Sequence, residues 1–212
     1  MAPRTVTLAL TGASGMPYGL RLLETLVRAG CRIHFLYSTA AQVVARQECD
    51  LVLPTQPREA ARTLSARYGA ADDQITAYAR EDWMAPIASG SNAADAMAIC
   101  PCSMGTLGAI AHGLADNLIE RAADVMLKER RPLVLVPRET PLSVIHLDNM
   151  ATLARAGAII LPPSPGFYTQ PTSVADIVDF VVARVLDQLG VPNTLSPRWG
   201  EDAVSPPRTE RA

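Results

Sequence analysis

Short apolar strands that alternate with helices leave a chain few folds, and this chain shows the alternation from its first residues. Thr5–Thr11 is β-branched and apolar and stops at Gly12, which reads as a buried strand. Met16–Ala29 follows as a helix, with Ser14 as its expected N-cap, Pro17 in its first turn and Gly30 as its stop. Cys31–Tyr37 is a second strand and Thr39–Gln47 a second helix. The same reading gives a helix over Arg58–Tyr68, a short strand at Ile75–Tyr78 and a Pro/Gly/Ser loop over Ala85–Ala93. A strand at Ala96–Cys100 is expected to stop at Pro101, before helices over Thr106–Ala111 and Leu118–Glu129. A strand at Leu133–Val136 stopped by Pro137, a helix over Ser143–Ala156, a strand at Ala158–Leu161 and a helix over Val174–Leu189 complete the series.

Such a series makes βαβ units. The expected fold is α/β, a Rossmann-like three-layer sandwich with a mostly parallel sheet, in one domain over residues 1–190. Residues 191–203 form a C-terminal extension expected to complete a site or an interface, and Val204–Ala212, polar and Pro-rich, is expected to be disordered. Ligands of parallel sheets bind at the carboxyl ends of the strands. That rule selects segments 11–15, 38, 101–106, 137–141 and 162–168. A net charge of −2 gives no electrostatic footing for nucleic acid or an anionic membrane. No apolar run reaches the ~20 residues that cross a bilayer, and the N-terminus lacks a signal-peptide pattern, so a cytoplasmic location is expected. Cys31, Cys49, Cys100 and Cys102 have no metal or redox spacing and read as buried reduced thiols. Lys128 is the single lysine, so any mechanism that needs one has one candidate.

The turn Thr11-Gly12-Ala13-Ser14-Gly15 follows a strand and opens a helix. Small residues there let backbone N–H groups approach an anion at a helix terminus, as a phosphate of a nucleotide-like ligand would require. A tight turn with no ligand accounts for the same residues. The spacing is not G-x-G-x-x-G, the second strand ends in Tyr37-Ser38 rather than an acidic residue, and no Tyr stands four residues before Lys128. A mononucleotide fits better than a dinucleotide.

Six blocks resemble the UbiX-type flavin prenyltransferases, once viewed as 3-octaprenyl-4-hydroxybenzoate carboxy-lyases. They are Thr11–Gly15, Cys100-Pro101-Cys102-Ser103-Met104-Gly105-Thr106, Asn117–Val125, Lys128–Leu142, Pro165-Gly166-Phe167-Tyr168 and Pro197-Arg198-Trp199-Gly200-Glu201. The resemblance runs in order from about residue 5 to residue 201. It implies transfer of the dimethylallyl group of dimethylallyl monophosphate to N5 and C6 of reduced FMN, with release of phosphate; the residues themselves are equally compatible with a diphosphate donor. The product implied is prenylated FMN for UbiD-type decarboxylases, within ubiquinone biosynthesis, made by a homododecamer without a metal. By resemblance, Gly12, Ala13, Ser14, Ser38, Ser103, Met104, Gly105, Thr106 and Arg138 bind FMN. Dimethylallyl phosphate meets Tyr168 and Arg184, supported by Lys128, Arg121, Glu139 and Ser89, with Trp83 and Trp199 walling the isoprenyl pocket. Glu48, Ser14, Lys128, Glu139 and Tyr168 form the implied catalytic set, with Glu48 handling a proton.

The residue types suit that chemistry. Loss of phosphate from an allylic carbon puts negative charge on the leaving group, which Arg binds as a fork and Lys as a point charge. Indole faces favour an allylic cation. A carboxylate takes the proton that ring formation expels. Each residue also has a plainer reading. Arg121, Asp124 and Lys128 have the spacing of a surface ion-pair chain. Arg184 flanks the apolar stripe of its helix, Glu48 reads as a surface helix end, Tyr168 as a cover for the sheet, and Trp83 and Trp199 as packing. His34, His112 and His146 read as structural. Two other functions compete: an FMN-dependent cysteine decarboxylase and a non-catalytic flavin carrier. The segment Pro137-Arg138-Glu139-Thr140 lacks the Met-Asn expected of the first, and the Arg/Lys/Tyr set is superfluous for the second.

Overall fold

A computed structural model describes residues 4–200. The segment 204–212, expected to be disordered, lies outside them, as do residues 201–203 of the extension. Six strands form one sheet: β1 (Thr5–Leu10), β2 (Arg32–Tyr37), β3 (Ile75–Ala77), β4 (Ala96–Cys102), β5 (Leu133–Pro137) and β6 (Ile159–Ile160), in the order β3-β2-β1-β4-β5-β6. Every pairing is parallel, so the sheet is wholly rather than mostly parallel. Successive residues of each strand point to opposite faces of the sheet. Val6, Leu8 and Leu10 of β1 join one buried cluster, while Ala9 joins the other; Val134 and Val136 of β5 part from Leu133 and Leu135 in the same way. That two-sided burial is why these strands read as unbroken apolar runs.

Helices α1 (Met16–Arg28), α2 (Thr39–Cys49), α3 (Pro57–Tyr68) and α7 (Val174–Leu189) cover the first cluster. Helices α4 (Met104–Ala111), α5 (Leu118–Lys128) and α6 (Val144–Arg155) cover the second, which completes the three layers. Gly19 lets α1 lie directly on β4: a Cβ there would meet the Cys100 carbonyl and the Leu10 side chain. The chain reverses direction across the sheet between β1 and β4, the switch point at which ligands of such sheets collect.

Two local expectations are corrected. Pro101 does not stop β4, which continues to Cys102; the strand register breaks between Ile99 and Cys102, where the missing proline N–H requires it. Ser14 does not cap α1. Gly15 holds the cap position with φ of 116°, and no side chain of its own segment caps the helix. All four cysteines are free, but Cys49 is only half-buried. Burial pushes the Cys100 thiol far up and the Cys102 thiol to about 12.

Candidate active site

Three strand ends meet at the switch point. The Thr11 hydroxyl donates to the Pro101 carbonyl at 2.9 Å and accepts the Ser103 N–H at 2.7 Å, tying the turn after β1 to the turn after β4. Ser38 N–H donates to Leu10 O at 3.0 Å, which brings in the end of β2. Each turn then opens a helix. Ser38 caps α2 through Ala41 N–H at 3.1 Å, and Ser103 caps α4 through Thr106 N–H at 3.4 Å. Gly12 faces the first turn of α2, where a Cβ would collide with that of Ala40. From β5, Arg138 reaches over and donates its Nε–H to Ser14 O at 3.3 Å. Gly12, Ala13, Ser14, Ser38, Ser103–Thr106 and Arg138 therefore form one cradle with the amino termini of α1, α2 and α4 around it.

The missing α1 cap is supplied from a distance. Glu48, in the last turn of α2, accepts Gly15 N–H at 2.9 Å and Met16 N–H at 2.8 Å on one carboxylate oxygen. Burial pushes the Glu48 carboxyl up, but the Ser14 hydroxyl, the two N–H groups and the Arg138 charge outweigh it and hold the group below the usual carboxylate range. The α1 terminus thus already carries an anion. At α4, Met104 and Gly105 N–H precede the first intrahelical bond, and Arg138 N–H donates to Cys102 O just before that terminus, so this terminus is the cradle's fit for a phosphate.

The remaining expected residues fall into two further clusters. On α5, Arg121 donates to Ala88 O at 2.9 Å and pairs with Asp124 at 2.7 Å, which sets it beside Ser89. Lys128 pairs with Glu129 rather than with Asp124, so the plainer alternative of an Arg121–Asp124–Lys128 ion-pair chain holds only at its first link. A Cβ on Gly90 would meet both Lys128 and Glu129, which places the Ser89–Gly90 turn against this helix. Trp83 lies in the turn before it, half exposed. The last cluster lies along β6 and α7. Tyr168 meets Trp199 edge-on at 4.9 Å between ring centres and Phe180 at 5.8 Å, next to Arg184, in a cavity of about 880 Å³. Trp83 is not among the residues lining that cavity. Arg121 and Lys128 stand on α5, which covers one face of the sheet, and Arg184 on α7, which covers the other; among the described residues their partners are Ala88, Asp124, Glu129 and Asp187 rather than residues of the cradle, where Glu139 follows Arg138. Phe180 has no motif in the sequence and is revealed only by its edge contact with Tyr168; Asp187 stands at an ordinary i,i+3 helix spacing from Arg184, and Thr11 belongs to the turn motif, whose tie to Ser103 appears only in the fold.

Residues 1–186 match the family model described as Flavoprotein. The chain is 60% identical over 199 residues to the flavin prenyltransferase UbiX of Pseudomonas aeruginosa, covering 94% of this chain and 95% of that one. The chain belongs to the UbiX flavin prenyltransferase family. The UbiX protein of Methanocaldococcus jannaschii is 43% identical over 195 residues, covering 92% of this chain and 98% of its own. Among solved structures, AnUbiX in complex with FMN and dimethylallyl pyrophosphate superposes with a TM-score of 0.82 at 43% identity, over 93% of this chain and 97% of that one. A dodecameric FMN-dependent UbiX-like decarboxylase of Escherichia coli O157:H7 gives 0.81 at 43% identity, over 92% and 98%. The peptidyl-cysteine decarboxylase EpiD shares the fold at a TM-score of 0.55 with 15% identity, over 88% and 98%. Among the described residues no helix is long and apolar enough to cross a membrane, and no three His, Cys, Asp or Glu side chains are grouped to hold a metal ion.

Proposed function

We propose that this protein is a flavin prenyltransferase that joins the dimethylallyl group of a dimethylallyl phosphate to N5 and C6 of reduced FMN and releases phosphate. The observation that carries the reading is the cradle at the switch point: an open α4 terminus and a guanidinium suited to a phosphate, with an ionised carboxylate beside them. Reduced FMN, when bound, supplies the nucleophilic N5 and C6 atoms. The residues of the chain do the rest. Ser103–Thr106 and Arg138 take the FMN phosphate, and Gly12, Ala13, Ser14 and Ser38 line its approach. Closing the ring breaks the prenyl double bond, which takes up one proton as the bond to C6 forms and C6 gives one up; Glu48, held ionised, takes the proton that leaves C6. Tyr168 and Arg184 grip the departing phosphate with Lys128, Arg121, Ser89 and Glu139, and Trp83 and Trp199 flank the prenyl unit.

The split into clusters bears on assembly. The α5 cluster and the β6–α7 cluster meet a cradle only if different copies contribute them, and a dodecameric relative supports such an arrangement. Asn193 and Ser196–Trp199, in the described part of the extension, line the β6–α7 half-site. The product would pass to a UbiD-type decarboxylase in the cytoplasm, on the route to ubiquinone.

Anaerobic incubation with reduced FMN and either dimethylallyl monophosphate or diphosphate tests the reading by mass spectrometry of the flavin. Flavin heavier by one prenyl unit, with free phosphate from one donor or diphosphate from the other, is expected. Unmodified flavin where both ligands bind would refute it. E48Q is expected to bind FMN but stall before the second bond.

A further inference from the structure

Residues 191–199, which follow α7, fold back onto the domain. Gly190 ends the helix with φ of 66°, Val191 is buried, and residues 193–199 return along α7 as a strap whose Asn193 and Ser196–Trp199 line the cavity beside β6. One carboxylate holds that strap. Asp187 Oδ2 accepts Arg184 Nη1 at 2.8 Å, while Oδ1 accepts Arg198 Nη2 at 3.2 Å and Asn193 Nδ2 at 3.2 Å. Asn193 also donates to Ala183 O at 3.4 Å and accepts Leu195 N–H at 3.4 Å, so the turn is locked from both sides. The Asp187 side chain is 20% exposed, against 55% for Arg184 and 53% for Arg198. The acid is the covered member and the two guanidiniums face the cavity.

Two guanidiniums on one carboxylate leave an uncompensated positive charge at a cavity walled by Tyr168 and Trp199. Each guanidinium has five N–H donors, and Asp187 engages one nitrogen of each, so both keep donors for a second anion without leaving the first. Resting on the prenyltransferase reading, we infer that Arg198 is a second phosphoester-binding side chain, beside Arg184. Asp187 is the positioning residue that aims both guanidiniums and seats the strap.

The two roles give opposite signs on removal of the charge. A carboxylate that merely neutralised the arginines would, in D187N, release positive charge and tighten the donor. A positioning carboxylate would lose the aim of both arginines and weaken it. Steady-state flavin prenylation is measured for wild type, R198Q, R198K and D187N, with inorganic phosphate as competitive inhibitor and FMN affinity determined separately. R198Q should raise the donor KM and the phosphate inhibition constant about tenfold to a hundredfold, the loss expected for one charge-assisted contact. Its kcat should stay within a few-fold and its FMN affinity should be unchanged. R198K should recover part of the KM. D187N should raise the donor KM, and in a W83F background, used for fluorescence alone, it should make Trp199 more open to quenching by acrylamide. A donor KM unchanged in R198Q would overturn the assignment of Arg198, and a KM lowered in D187N would overturn that of Asp187. If D187N does not fold, R198Q on the exposed strap still decides the arginine, and N193A, which loosens the same turn, takes the place of D187N in the quenching and KM measurements. Wild type without prenylated product would instead sink the prenyltransferase reading itself.

Discussion

Glu48, to which the proposed reaction gives a proton role, also completes the amino terminus of α1, and its removal has a calculable consequence. The carboxylate takes the place of a helix cap on α1, accepting Gly15 and Met16 N–H at 2.9 and 2.8 Å. Loss of an N-cap acceptor costs about 1 kcal/mol, and an anion at an exposed helix terminus contributes about 0.3–1 kcal/mol. Glu48 is itself exposed, so solvent screening holds the total near the lower end. E48A is expected to lose about 1 kcal/mol and E48Q, which keeps an acceptor oxygen but no charge, about half of that. For a chain of this size 1 kcal/mol lowers Tm by roughly 2–4 °C.

The pH dependence follows from the direction of the Glu48 shift. Its folded pKa lies below the ordinary 4.5, so its contribution is complete above that value and is lost as pH falls through the folded pKa. E48Q has nothing to titrate at this position. Urea unfolding of wild type and E48Q at equal protein concentration, from pH 7 down to pH 3.5, should therefore show a gap that is constant above about 4.5 and narrows below it. A gap that stays constant to the lowest pH, or an E48Q more stable than wild type at pH 7, would refute the capping role. It would leave α1 without any acceptor for its first turn.

Three other outcomes are expected. R138Q should weaken FMN about tenfold to a hundredfold, as for one lost charge-assisted bond, and flatten the salt dependence of binding, read by flavin fluorescence. G12A should lower stability by about 1–3 kcal/mol, because the new methyl meets Ala40 at the first turn of α2; an unchanged urea midpoint would show that the turn can yield. In native protein at pH 8, Cys49 should be alkylated well before Cys102, whose thiol burial pushes to about 12, and equal rates in mass-mapped labelling would contradict that burial.

The layering of this fold is legible in the sequence because each strand and helix announces itself through its own residues. Val174–Leu189 matches its sequence reading residue for residue, since its apolar stripe, the cap at Ser173 and the stop at Gly190 are all local. Pro101 and Ser14 misled for one shared reason. Whether a proline ends a strand depends on whether the neighbouring strands can bend their register around it, and here β4 and β5 do. Whether a serine caps a helix depends on what else can reach the terminus, and Glu48, 33 residues further on than Gly15, arrives first. The site shows the same division. Gly12, Ser38, Ser103 and Arg138 stand at strand ends, so the rule for parallel sheets points to them as candidates. Asp187, by contrast, has an ordinary helix spacing to Arg184, and only the returning strap, with Asn193 and Arg198, turns it from a surface ion-pair partner into a shared anchor. A residue whose role is to orient another leaves no motif, because its chemistry is defined by partners that the chain brings back only after it has folded.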